Sequence, residues 1–143
     1  MLYKEEIRDL FSVGNEYILA HCISADFKMG AGIAVKFSEM GVRDELVRNC
    51  GKNLWRGHGF MIPTYGGREV CNLITKDKYY YKPTYETLTE ALDDLKIYMD
   101  MSIKGKVAMP LIGCGLDRLE WVKVREIIQN VFADKEVINN DSW

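Results

Sequence analysis

Apolar positions along this chain fall into short buried-type runs that alternate with stretches of helical period. Ile18-Leu19-Ala20-His21-Cys22-Ile23 is mostly apolar between polar flanks, and Val107-Ala108-Met109-Pro110-Leu111-Ile112 repeats the pattern. Runs of this length suit strands covered on both faces. Between them Ile33, Ala34 and Phe37 are spaced as one helix face over residues 31–40, Leu46 and Val47 continue the pattern over 42–50, and Gly41 separates the two. Phe60 to Pro63 and Glu69 to Ile74 flank Thr64-Tyr65-Gly66-Gly67-Arg68, which predicts a hairpin with a glycine turn and a strand ending at Thr75-Lys76. Pro83 opens a long helix from Thr84 to Met101, with Leu88, Leu92, Leu95, Ile97 and Met99 on its apolar side and Asp93, Asp94 and Lys96 toward water. Trp121 to Phe132 closes the pattern as an amphipathic helix carrying Val124, Ile127, Ile128 and Val131.

Strands alternating with helices on this scale predict a three-layer α/β/α domain with a largely buried sheet, one domain over residues 1–143. Two glycine turns follow strands: Gly30-Ala31-Gly32-Ile33-Ala34 and Gly113-Cys114-Gly115-Leu116-Asp117-Arg118-Leu119. In open α/β sheets that is where a ligand crevice forms, and glycines followed by a helix start let main-chain N–H groups approach an anion. Two such cradles suggest a ligand with two linked phosphates. Neither turn matches a P-loop or the full dinucleotide fingerprint.

Composition narrows the classes. Apolar residues make up 48%, charged residues 28%, and only 3 of 143 residues are Pro, a globular profile without low-complexity segments. A formal charge of −2 gives no long-range pull on a polyanion, so stable nucleic-acid binding is not expected. Cys22, Cys50, Cys71 and Cys114 lie far apart, without a C-x-x-C pair or a His at zinc spacing. They read as reduced thiols of a cytoplasmic protein, with no metal and no cofactor called for. No apolar run has the length of a signal segment or of the ~18-residue membrane span.

Several side chains could do chemistry. Asp117 stands two residues past Gly115, where it could exchange a proton with whatever the turn holds, or cap the Trp121 helix. Arg118 reads as a surface partner of Glu120. Lys76, at the end of a buried-type strand, could be partly desolvated and act as a nucleophile, yet Lys78 and Lys82 are close by and spacing alone does not choose among them. His21 reads as a hydrogen-bonded core residue, Ser24 and Asp26 as shaping the first turn, and Cys114 as a small packing residue although a helix start nearby could lower its pKa. Tyr79-Tyr80-Tyr81 could stack on a base or form a partly buried loop.

Five blocks in register are together more specific than any of them alone: Leu19 to Ser24, Met29 to Val35, Leu73 to Lys76, Lys82-Pro83-Thr84-Tyr85-Glu86, and Gly113 to Leu119. They resemble the macrodomain family, and within it the terminal ADP-ribose protein glycohydrolase branch, whose relatives include the macrodomain of the DNA ADP-ribosyl glycohydrolase antitoxin. The resemblance runs from about Asp9 to Phe132. It implies a three-layer macrodomain with a mixed central sheet and an ADP-ribose cleft, with Asp9 and Leu10 at the adenine, His21 and Ser24 near the ligand, and Gly30, Ala31, Gly32, Ile33, Ala34, Gly113, Cys114, Gly115 and Leu116 around the diphosphate and distal ribose. It further implies Lys76 as the nucleophile toward the anomeric carbon and Asp117 as the carboxylate that assists and resolves the adduct, the two on opposite sides of the sugar. The activity so implied is removal of terminal ADP-ribose from an acidic side chain or nucleobase, or deacetylation of O-acetyl-ADP-ribose, by a monomer. ADP-ribose 1″-phosphate phosphatase activity and non-catalytic ADP-ribose binding are its rivals. Arg8 stands where the family commonly has glycine before the aspartate, and Trp143 is a candidate for adenine stacking.

Overall fold

The computed structural model describes residues 2–50, 55–115 and 117–141. Its strands are β1 (Leu2–Glu6), β2 (Ile18–Ser24), β3 (His58–Met61), β4 (Val70–Lys76), β5 (Lys106–Pro110) and β6 (Glu136–Asn140), and its helices α1 (Ile33–Glu39), α2 (Val42–Cys50), α3 (Tyr85–Met101) and α4 (Trp121–Val131). The strands form one sheet in the order β1-β6-β5-β2-β4-β3. β3 runs antiparallel to β4 and every other pairing is parallel, so the sheet is mixed.

Alternation along the strands sorts the core into two slabs, because successive strand residues face opposite sides. Ile18, Ala20, Cys71, Leu73, Val107, Met109 and Val137 pack with Leu88, Leu92, Leu95 and Met99 of α3 and Val124 and Ile128 of α4. Leu19, Ile23, Val70, Ile74, Ala108 and Ile138 pack on the other face with Phe37 of α1 and Val42 and Leu46 of α2. Three layers result, with α3 and α4 on one side and α1 and α2 on the other.

The predicted helices form within a residue or two of their expected ends, and the second strand of the hairpin runs on to Lys76. Two apolar positions face water instead of the core: Ile97 is 57% and Val47 50% exposed. Ile97 is two residues from Leu95, about 200° around the helix, which puts it on the opposite face. Asp94 is half-buried and accepts a 2.8 Å bond from the Gly59 N–H. β1 and β6 were not predicted. β1 is an edge strand of exposed and half-buried residues with Lys4, Glu5 and Glu6, and β6 buries Asn139 and Asn140, residues depleted in strands.

Topology places a crevice at the C-terminal ends of β2 and β5. From β2 the chain leaves toward β4 and β3, and from β5 toward β6 and β1, so the strand order reverses between these two neighbours. Their ladder pairs only Ile18 with Val107 and Leu19 with Ala108, and above that point the strands have no further pairing. On the other side of β2, the pairing with β4 slips between Ile23 and Ser24: Ile23 pairs with Ile74 and Ser24 with Lys76, leaving Thr75 as the extra residue of a bulge. A bulge changes which way the following side chain is aimed.

The first turn of α3 holds that bulge. The Thr84 hydroxyl accepts from the Thr87 N–H and the Thr87 hydroxyl from the Thr84 N–H, a reciprocal cap, while the Thr87 hydroxyl also donates to the Thr75 carbonyl at 2.8 Å. Replacing Thr87 by the isosteric Val should cost about 1–3 kcal/mol, because a buried carbonyl and a helix N-terminus each lose a partner. Urea unfolding of Thr87→Val checks this, and an unchanged midpoint would contradict the tether.

Candidate functional site

Lys76 and Asp117 meet at the end of β4. Lys76 Nζ donates to Asp117 Oδ1 at 2.6 Å, and the side chains are 14% and 17% exposed. Lys78 and Lys82 are exposed, so the geometry separates the three lysines that spacing left equal. Asp117 caps no helix: α4 starts at Trp121 with Glu120 as its N-cap. Nor do the two groups face each other across an empty sugar-sized gap. They are in direct contact.

Each partner is positioned from α3. Thr87 ties down the carbonyl before Lys76, and the Ala25 N–H donates to the Lys76 carbonyl at 2.9 Å. The loop carrying Asp117 is closed by the Leu119 N–H on the Gly113 carbonyl at 2.7 Å and the Arg118 N–H on the Gly115 carbonyl at 3.2 Å. It ends on Tyr85, whose hydroxyl accepts from the Glu120 N–H at 2.9 Å. The Thr84-Tyr85-Glu86-Thr87 segment thus aligns lysine and carboxylate together. Arg118 is exposed with φ 61°, while Glu120 pairs with Lys123 at 3.5 Å.

The glycine turns flank this pair. Gly30, Ala31 and Gly32 are exposed, Gly32 (φ 61°) is the N-cap of the short α1, and Ile33 and Ala34 are half-buried in its first turn. Gly113 has φ 75°, and a Cβ there would come within 2.9 Å of Leu119. At Gly30 and Gly115 a Cβ would meet nothing within 4 Å, so the protein's own packing does not demand glycine there and the space stays open for a ligand. α4 begins too far along to direct its dipole at the Gly113 turn, which leaves backbone amides as that turn's donors. Leu116 and Trp143 lie outside the described residues, as does the Cys50 side chain.

Ser24 is buried, and its hydroxyl donates to Asp26, which also accepts from the Lys28 N–H at 3.1 Å and the Tyr79 N–H at 3.0 Å. Burial opposes ionisation of Asp26, but these bonds, the Ser24 hydroxyl foremost, hold its carboxyl below the ordinary range. This link from the β2 end to the Tyr79 loop was not legible in the sequence. Asp9 is exposed and caps the short 3-10 turn Leu10–Ser12, with Oδ1 accepting from the Phe11 N–H at 3.0 Å, while Leu10 is fully buried. Cys22 lies beside the Lys76–Asp117 pair, where burial and the Asp117 carboxylate push its thiol up. Burial also raises Cys114, whose Sγ donates to the Ile112 carbonyl at 3.3 Å, so no helix start activates it.

His21 has no exposed surface. Its ring lies 4.0 Å from that of Phe37, and Nε2 donates to Asn72 Oδ1 at 2.7 Å, the polarity required because the Asn72 amide donates to the Phe60 carbonyl. His21 therefore faces the core and can reach a ligand only through its neighbours. Among the described residues no group of three or more His, Cys, Asp or Glu could hold a metal, and no helix is long and apolar enough to cross a membrane. A cavity of about 540 Å³ between Phe11, Met40, Thr64 and Arg68 lies toward the opposite end of β2 and β4, away from the lysine–carboxylate pair. Reactive groups, not cavity size, mark the crevice end as the site.

No family model matches the chain. It is 40% identical over 130 residues to ADP-ribose glycohydrolase OARD1 of Homo sapiens, covering 90% of this chain and 83% of that protein, and equally so to its namesake in Bos taurus. Its fold is similar to the macrodomain of Thermus aquaticus DarG, with a TM-score of 0.86 at 21% identity over 98% of each chain. It is also similar to Thermosipho africanus DarTG in complex with ADP-ribose, with a TM-score of 0.75 at 16% identity, covering 96% of this chain and 41% of that one.

Burial depresses the His21 pKa from 6.5 to about 4, so its neutral form stabilises the fold above about pH 6.5, and that contribution is lost as pH falls through about 4. Wild-type stability should fall on the order of 3 kcal/mol across that window by this route. Denaturant titrations at several pH values should show the fall shrinking in His21→Gln. Parallel curves would contradict the assignment.

Proposed function

The chain belongs to the ADP-ribose glycohydrolase family represented by OARD1, on a macrodomain fold, and from that premise we propose that it binds ADP-ribose in the crevice and removes terminal ADP-ribose from a modified target. The observation that carries the reading is the 2.6 Å contact of Lys76 Nζ with Asp117 Oδ1 beside two open glycine turns. In this reading the amides of Gly30 to Ala34 and of Gly113 to Gly115 hold the diphosphate and distal ribose, and Asp9 and Leu10 border the adenine. His21 supports that surface from beneath through Phe37, and Ser24 through Asp26.

The favoured target is an acidic side chain esterified at C1″ of the ribose, because a carboxylate is a better leaving group than an alkoxide or an amine. As Lys76 attacks, its lone pair forms the N–C1″ bond, the C1″–O bond breaks, and the electron pair leaves with the target oxygen. One ammonium proton passes along the short hydrogen bond to Asp117 and on to the departing oxygen. Water then bonds to C1″ while the C–N pair returns to Lys76, and the proton that Asp117 takes from that water goes back to the amine. Free ADP-ribose, a free acid and the original ion pair result. Dividing one difficult displacement into two is the gain of covalent catalysis. Unpaired thiols at Cys22, Cys71 and Cys114 are in keeping with a cytoplasmic setting, and a monomer suffices because one chain supplies every group used.

Lys76→Ala should lower turnover of a mono-ADP-ribosylated glutamyl peptide at least about a thousandfold. Its ADP-ribose affinity, measured by calorimetry, should stay within about fivefold of wild type, since binding rests on the glycine turns. Turnover that survives the substitution would overturn the nucleophile and mean that water attacks C1″ directly; the rival ADP-ribose 1″-phosphate phosphatase activity, assayed by phosphate release, is the one that should survive it.

A further inference from the structure

Asp26 stands between the end of β2 and the Gly30 turn, and its two carboxylate oxygens serve different loops. Oδ1 accepts from the Ser24 hydroxyl and from the Lys28 N–H at 3.1 Å, both in the segment that leads into the first glycine turn. Oδ2 accepts at 3.0 Å from the Tyr79 N–H, in the loop that follows Lys76. The Ala25 N–H on the Lys76 carbonyl at 2.9 Å closes the same seam from the neighbouring residue. Asp26 therefore joins the strand end that carries the nucleophile to a turn proposed to hold the diphosphate and distal ribose.

The joined segment is strained. Phe27 is 6% exposed and has φ 58°, a left-handed conformation that bulky residues rarely adopt. Strained backbone persists only where its surroundings over-determine it. Here the Phe27 N–H donates to the Ser24 carbonyl at 3.1 Å, Arg43 Nε donates to the Phe27 carbonyl at 2.8 Å, and Asp26 accepts from Ser24 and Lys28 on either side. Releasing Asp26 lets the segment relax and shifts the glycine turn that follows it.

Building on the glycohydrolase reading, we propose that Asp26 is a positioning residue for the attack on C1″. Its hydrogen bonds go to Ser24 and two loop amides, and none goes to Lys76 or Asp117. By fixing the strand end against the turn, it sets the separation between Nζ and the anomeric carbon of the sugar. Binding needs the glycine turns alone, whereas attack needs turn and lysine in register, so loss of Asp26 falls on the chemical step. Asparagine cannot take its place, because an amide nitrogen accepts no hydrogen bond and one of the two loops loses its partner.

The test is Asp26→Asn. Its kcat on a mono-ADP-ribosylated glutamyl peptide should fall roughly ten- to hundredfold, with KM and the calorimetric affinity for ADP-ribose within about threefold of wild type. Adding Asp26→Asn to Asp117→Ala should slow formation of the ADP-ribose adduct on Lys76 by a similar factor. Tyr79→Pro supplies a second variant with Asp26 intact. Tyr79 is the second residue of a turn closed by the Tyr81 N–H on the Lys78 carbonyl at 3.0 Å, where proline is favoured, so the substitution removes the N–H that Asp26 receives and keeps the turn. It should show the same split, and it decides alone if Asp26→Asn lacks a cooperative urea transition. Unchanged kcat in either folded variant would make the link structural only and overturn the proposal. So would a loss of ADP-ribose affinity large enough to account for the whole fall in kcat/KM. Both results leave the glycohydrolase reading standing. If Asp117→Ala alone binds ADP-ribose and forms no adduct on Lys76, the nucleophile fails and takes the proposal with it.

Discussion

A lysine and a carboxylate cannot be held 2.6 Å apart, each about five-sixths buried, by their mutual attraction alone. Withdrawing both charges from water costs several kcal/mol per ion before the pair forms, so surrounding structure must impose the contact. Most of what is specific about this fold does so. The Thr75 bulge sets the direction of Lys76, Thr87 fixes the bulge, and Tyr85 fixes the end of the loop that presents Asp117. One helix turn serves both partners, which keeps their separation constant while the rest of the crevice remains free to accept a ligand.

The same economy explains where the crevice lies. Central strands of a parallel sheet are buried on both faces and offer only their ends to solvent. At one of those ends the chain departs in opposite directions from neighbouring strands, and the ladder between β2 and β5 stops early. Glycine turns at the two departures leave space above the strand ends that no side chain of the protein fills at Gly30 or Gly115.

The hydrophobic pattern predicted the helices and buried strands because their apolar residues keep a strict period: Leu88, Leu92, Leu95 and Met99 are buried in the order their spacing demands. It missed β1 and β6 for opposite reasons. β1 is an exposed edge of charged residues locked by Arg125 onto Glu5, and β6 hides two asparagines, one of which bonds to the Pro110 carbonyl at 3.1 Å. The lysine could not be singled out by spacing, since its distinction arises from a bulge that shifts register by one residue. The alternative of a helix cap at Asp117 falls because α4 starts at Trp121, where the pattern placed it, with Glu120 as its N-cap. The Asp26 link to the Tyr79 N–H joins residues 53 apart, a contact with no local signature.

The central claim is that the Lys76 amine, aligned by Asp117, bonds covalently to the distal ribose. Intact-protein mass spectrometry of Asp117→Ala incubated with ADP-ribose, followed by peptide mapping, tests it most directly. The account predicts a trapped species heavier by ADP-ribose less one water, mapped to Lys76 and absent from the Lys76→Ala, Asp117→Ala double variant. No adduct on Lys76 while ADP-ribose is demonstrably bound would contradict it.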